Sequence, residues 1–167
     1  CTEAQWEKGA RGGCEDNGGT SNCKADSRKY PWGNAASTCD LAVMGGCDGD
    51  TQPVCSKSPA GDSPYGLCDM AGNVWEWVAD WFGSDYYCAG SGADTSYPWT
   101  YCPECGTWPG SPNAWNNPYC NVSGSGRVLR GGSFAYDGDY ARRVSHRNYF
   151  DPSGSDDALG GRCCRSE

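Results

Sequence analysis

The chain has 167 residues, with thirteen cysteines, eight tryptophans and ten tyrosines, yet only 14 residues are Leu, Val or Phe and none is Ile. The formal charge of −8 argues against nucleic acid as the main partner, because phosphate contacts need a basic surface. No apolar run approaches the roughly 20 residues of a membrane-spanning helix, and no nucleotide cofactor is expected. So little aliphatic bulk would by itself indicate disorder. Against that, aromatic rings bury large areas and disulfides constrain the unfolded chain, so the expectation is one folded, loop-rich, cross-linked domain. Dense cysteine with a single histidine, His146, and no repeated zinc-ligand spacing favours disulfides, and with them an oxidising compartment: extracellular, cell-surface or periplasmic. No signal-peptide pattern opens the sequence, so a segment outside these residues is expected to direct export.

In chain order, Thr2-Glu3-Ala4-Gln5 has the form of a capping box, and Gly12-Gly13 ends the helical stretch that follows. Residues 14–63 are rich in Gly, Asp, Asn, Ser and Pro without a sustained period, and are expected to be ordered loop held by cross-links. From Val74 to Phe82, Trp75, Trp77, Ala79 and Trp81 alternate with Val74, Glu76, Val78 and Asp80, which predicts a strand with one tryptophan-covered face. Five prolines in residues 83–126 forbid regular pairing over most of that stretch, and loops of this kind usually carry binding surface. Further strands are predicted at 127–129, 140–147 and 160–164. No internal repeat is evident.

Loop lengths favour local disulfides joining Cys14 to Cys23, Cys39 to Cys47 and Cys55 to Cys68. Cys102 and Cys105 have the spacing of a redox dithiol, but the Pro-rich surroundings favour structural cystines, with Cys88 and Cys120 as further members. Thirteen is odd, so one thiol is free or bonded to another chain, and Cys164, beside Cys163, is the best candidate. Asn121-Val122-Ser123 fits a glycosylation acceptor. Arg143, Ser145 and Arg147 would share one face of the 140–147 strand, where an arginine fork could hold a carboxylate or sulfate; internal pairing with Asp is the favoured alternative.

Five blocks in order, at residues 2–7, 30–34, 65–81, 127–133 (Arg-Val-Leu-Arg-Gly-Gly-Ser) and 159–163, resemble the formylglycine-generating enzyme family, also called the sulfatase-modifying-factor domain. The resemblance covers nearly the whole chain. It implies an α+β, irregular, loop-rich fold of the C-type-lectin-like kind, with short strands, one N-terminal helix and many disulfides. It also implies that residues 1–167 form a single domain equivalent to the C-terminal part of the family domain, the N-terminal part to be supplied by another segment or another chain. Cys1 stands where the family usually has proline, and the resemblance makes it a structural half-cystine paired with Cys163.

The family's oxidase holds copper between two thiolates shortly after the Gly-Gly-Ser block, and soft thiolates are what select monovalent copper. Here those positions are Tyr136 and Ala141, so no copper site and no catalytic residue is expected. The resemblance implies calcium at Asn73 and Glu76 with the carbonyls of Ala71, Gly72 and Val74, and at a second site with Asp40, the carbonyl of Leu41 and Asp48 or Asp50, hard oxygens being what calcium takes. Residues 135–157 look like the variable region of diversity-generating retroelement proteins, although an ordinary family loop of biased composition is the favoured reading. Both make a display surface for an unidentified protein or glycan, with Tyr136, Asp137, Asp139, Tyr140, Arg143, His146, Arg147 and Tyr149 as its contact residues. The function expected is therefore a non-catalytic binding or assembly domain. The alternatives are an oxidase using iron held outside this chain, and a surface or filament subunit that forms homo-oligomers.

Overall fold

The computed structural model describes residues 1–13, 28–47, 49–83, 124, 126–136 and 138–164. The bridge between Cys14 and Cys23, the residues Asp48, Cys88, Cys102, Cys105, Cys120 and Asp137, and the glycosylation pattern at Asn121 lie outside them.

The opening helix α1 spans Glu3–Arg11 and begins as a capping box: Thr2 accepts from the Gln5 backbone, and the Gln5 side chain accepts from the Thr2 backbone. Two otherwise orphaned donors are thereby satisfied. Gly12, at φ 82°, turns the chain out of the helix. The rest is α+β with long irregular connections. A four-stranded sheet contains β1 (Trp75–Trp81), β2 (Arg127–Arg130), β3 (Asn148–Phe150) and β4 (Leu159–Gly161), in the order β3-β2-β1-β4. β1 pairs antiparallel with β2 and parallel with β4, and β2 pairs antiparallel with β3. A short 3-10 helix, Asp139–Arg142, precedes β3.

The expected strand at 140–147 is not formed. That stretch is the end of the 3-10 helix followed by turns, and pairing with β2 begins only at Asn148. Arg143, Ser145 and Arg147 consequently share no strand face.

The register puts Glu76, Val78 and Asp80 of β1 on the same side as Val128 and Arg130 of β2, facing α1, and puts Trp75 and Trp77 with Leu129 on the other. Under the helix, Trp6, Ala10 and Met70 pack with Val78, Val128 and Val144. On the far side Trp75, Leu129 and Ala141 are buried together, flanked by Trp77 and Leu159. The tryptophan face is thus only partly covered, whereas the mixed face carrying two carboxylates is the more deeply buried.

Burying charge requires partners, and α1 supplies them. Glu3, fully buried, meets Arg130 at 3.2 Å and Arg147 at 2.7 Å, Glu7 meets Arg130 at 2.5 Å, and Asp80 accepts from the Glu3 backbone at 2.6 Å. The helix is fixed to the sheet by ion pairs as much as by apolar contact.

Cross-links hold the loops. Cys39 pairs with Cys47 and Cys55 with Cys68, as loop lengths predict. Cys1 pairs with Cys164, not with the expected Cys163, which carries the free thiol in place of Cys164. β4 ends at Gly161, so both cysteines lie past the strand end, and Cys164 is the one that meets Cys1. Among the described residues no helix is long and apolar enough to cross a membrane.

Candidate functional site

The turn entering β1 is a junction of backbones. Gly72, at φ 85°, lies so close to Val43 that an added Cβ would sit 2.2 Å from the Val43 carbonyl oxygen, so a glycine is required there. Asn73 follows at φ 66°, a conformation asparagine tolerates better than most residues. Its amide donates to the Val43 carbonyl, its carbonyl accepts from Phe134, and its side chain exchanges two hydrogen bonds with the Gln52 backbone, each 3.1 Å. Three loops converge on one asparagine.

Glu76 points to the helix side, and both its oxygens are engaged. Arg162 donates from Nε to one at 2.8 Å and from a terminal nitrogen to the other at 2.6 Å, while the Trp6 indole donates at 2.6 Å. Burial works against the Arg162 charge, but the adjacent Glu76 carboxylate more than compensates and holds the guanidinium pKa above its usual value. As arranged, a guanidinium pairs with Glu76, and Asn73 Oδ1 accepts from the Gln52 backbone. Of the second loop's expected ligands, Asp48 lies outside the described residues. Asp50 accepts from the following Thr51 backbone, and the Leu41 carbonyl packs against Gly61. Among the described residues, the only cluster of three potential metal-ligating side chains is Cys55, Cys68 and Asp69, whose two sulfurs are joined to each other.

The other side of the sheet carries the more open chemistry. Gly132, at φ 78°, allows the Gly-Gly-Ser turn to run against the Ala141 carbonyl, and Tyr136 and Ala141 come to lie against Trp75 of β1. Tyr136 meets Trp75 edge-on at 5.8 Å, and His146 meets the same indole at 5.8 Å. Tyr140 stands edge-on to His146 at 5.3 Å, and Phe150 edge-on to Trp77 at 6.3 Å. Ala141 is fully buried against Trp75 and Leu129. Tyr136, Tyr140 and Phe150 remain 44%, 53% and 37% exposed. The two positions expected to replace copper ligands are therefore brought together, and both pack on Trp75: one presents a phenol, the other a methyl group.

His146 is half-buried, and its pKa is lowered first by that burial and then by the charges of Arg130 and Arg143. That shift favours the uncharged ring, which stands among other rings. Arg143 is exposed beside it.

Other expected contact residues serve the fold. Asp139 accepts from the Ser37 and Tyr30 hydroxyls, which hold its carboxyl below the usual range. Arg147 is bidentate to Glu3, at 2.7 and 2.9 Å, also donates to the Gly83 carbonyl, and lies over the Phe82 ring. It belongs to the α1 side, where its partner is Glu3 and not an Asp. Tyr149 pairs with Val128 and stacks on Phe82 at 4.5 Å, also on that side. Sequence reasoning omitted from the contact residues Trp77 and Phe150, and Trp75, which lies buried beneath Tyr136 and His146. The alternation of β1 placed both indoles on one face, but nothing in the sequence showed that Phe150 would be carried to the same face by the displaced β3.

Comparison with known proteins agrees with this architecture. The sulfatase-modifying factor enzyme 1-like domain matches residues 1–167. The formylglycine-generating enzyme of Streptomyces coelicolor is 33% identical over 174 aligned residues, covering 97% of this chain and 45% of that protein. Hercynine oxygenase of Mycolicibacterium thermoresistibile is 37% identical over 153 residues, 90% of this chain and 28% of that one. Among solved structures, Treponema denticola variable protein 1 superposes with a TM-score of 0.60 at 28% identity, over 96% of this chain and 44% of its own. The chain spans less than half the length of each. With the motif blocks, the sheet and the whole-length match in agreement, the chain belongs to the formylglycine-generating-enzyme, or sulfatase-modifying-factor, family.

Proposed function

We propose that this domain binds a ligand through the aromatic face of the sheet and has no oxidase centre of the formylglycine-generating kind. The observation that carries the reading is the pair Tyr136 and Ala141 packed against Trp75, where the family resemblance would call for two thiolates. A phenol and a methyl group supply no soft ligand for monovalent copper. What stands there instead is a set of partly exposed rings, Tyr136, Tyr140 and Phe150, with the His146 ring and the Arg143 guanidinium beside them. Tyrosine and arginine in small, polar surroundings make recognition surfaces at low entropic cost. The similarity to a protein called variable supports a display role on a C-type-lectin-like scaffold.

The three described disulfides support an oxidising, extracellular or periplasmic setting. Completion of the fold by a further segment, or by another chain in a surface assembly, is part of this proposal. Immobilised protein should be challenged with a glycan array and a surface-protein library, and any ligand retested on Tyr136→Ala and Tyr140→Ala. Loss of binding in both variants, with unchanged melting temperature, supports the reading; retention in both rejects the aromatic face.

A second reading is favoured by the hercynine oxygenase relative: an oxygenase whose metal is held by residues outside this chain. Stoichiometric iron in the full-length polypeptide would favour it.

A further inference from the structure

Cys1, Cys163 and Cys164 lie together where the start of the chain meets the end of the sheet. The Cys1 carbonyl accepts from Ala79 of β1, and its sulfur is bonded to Cys164 across a Cα separation of 4.9 Å. The same sulfur also lies 3.8 Å from the Arg162 carbonyl oxygen, which belongs to the peptide joining Arg162 to Cys163. The bonded sulfur therefore rests against the peptide that precedes the neighbouring, unbonded cysteine. Arg162 is held by Glu76 and by the Cys68 and Asp69 carbonyls, whereas residues 163 and 164 follow the end of β4 and both are exposed. Consecutive Cα atoms are about 3.8 Å apart, so an exchange of partners requires the backbone past Arg162 to bring the Cys163 Cα within about 6.8 Å of the Cys1 Cα, the separation a disulfide tolerates.

We propose that these three cysteines form an internal exchange site, in which Cys163 and Cys164 alternate as the partner of Cys1. The Cys163 thiolate attacks Cys1 Sγ, the bond between Cys1 and Cys164 breaks, the bond between Cys1 and Cys163 forms, and Cys164 departs as a thiolate. The proton lost by Cys163 is matched by the one Cys164 takes up, and no oxidant or reductant is consumed. Both isomers keep the two chain ends stapled on β1 and leave one thiol at the surface. That thiol can open a disulfide on another molecule, forming a mixed disulfide and releasing the second thiol of that molecule, so covalent attachment does not require the closure to be given up. Arg162, anchored on Glu76, acts as the fixed pivot.

Two measurements test this. In Cys164→Ser, exchange predicts that Cys1 closes with Cys163: peptide mapping finds that bridge, neither cysteine reacts with an alkylating agent, and the melting temperature equals that of Cys163→Ser. Two reactive thiols, at Cys1 and Cys163, would overturn the proposal. The unmodified protein is then held at about pH 8.5, near the ordinary thiol pKa, alkylated with iodoacetamide, and the peptide containing both cysteines is fragmented. Label on Cys163 and on Cys164 in different molecules is expected. Label confined to Cys163 at all times would contradict alternation, independently of how the variants fold.

Discussion

Replacing Arg162 by leucine tests whether Glu76 is held by a guanidinium or serves a metal ion. Glu76 is 7% and Arg162 24% exposed in their side chains, and the guanidinium donates to both carboxylate oxygens, at 2.8 and 2.6 Å. Removing it leaves a buried carboxylate whose one remaining described partner is the Trp6 indole, at 2.6 Å. Breaking a buried pair on one side costs about 3–5 kcal/mol, and the partial exposure of Arg162 places this case near the lower end, about 3 kcal/mol. For a chain of this size that is a fall of about 6–12 °C in melting temperature. Circular dichroism and tryptophan fluorescence, followed in calcium and in chelator, provide the readout. The arginine account predicts the full drop in both solutions and a small effect of chelator on the parent protein. A variant within about 0.5 kcal/mol of the parent, with a parent that loses several degrees in chelator, would show that calcium and not Arg162 satisfies Glu76.

Thr2→Ala removes the capping-box acceptor of α1 and should lower stability by about 1 kcal/mol in chemical denaturation. His146 has a lowered pKa, so the unfolded chain binds its proton first: its contribution is present above the unfolded value of about 6.5 and is lost as pH falls below that value. His146→Gln should flatten the denaturation midpoint across that window; an unchanged slope would remove the histidine from the argument. Reduction should unfold the domain at ambient temperature, since each bridge contributes roughly 2–4 kcal/mol and so few aliphatic residues are available for burial; a native fluorescence spectrum in reductant would contradict that.

Helix α1, strands β1 and β2 and the local bridges Cys39 to Cys47 and Cys55 to Cys68 are legible in the sequence, because each depends on neighbours within a few positions: a capping box, an alternation, a short loop. β3 is not. Its pairing is fixed by β2, and the intervening residues 139–147 turn to bury Ala141, Arg142 and Val144, a tertiary effect that overrides local pattern. Which face of β1 is the more deeply buried is not legible for a related reason. Alternation shows that tryptophans share a side, but the arginines that make the carboxylate side buriable come from Arg130, Arg147 and Arg162, all distant in sequence. At the candidate site, the resemblance singled out Tyr136 and Ala141 by position, while their meeting on Trp75 required the fold.

On the proposed reading, the Trp75 neighbourhood is a binding face with no copper oxidase centre. Oxygen consumption by the protein, supplied with monovalent copper, excess reductant and a cysteine-containing peptide, tests it most directly. The account predicts a rate equal to that of copper and peptide without protein, and no aldehyde in the peptide by mass spectrometry. Copper-stimulated aldehyde formation that saturates with peptide would contradict it.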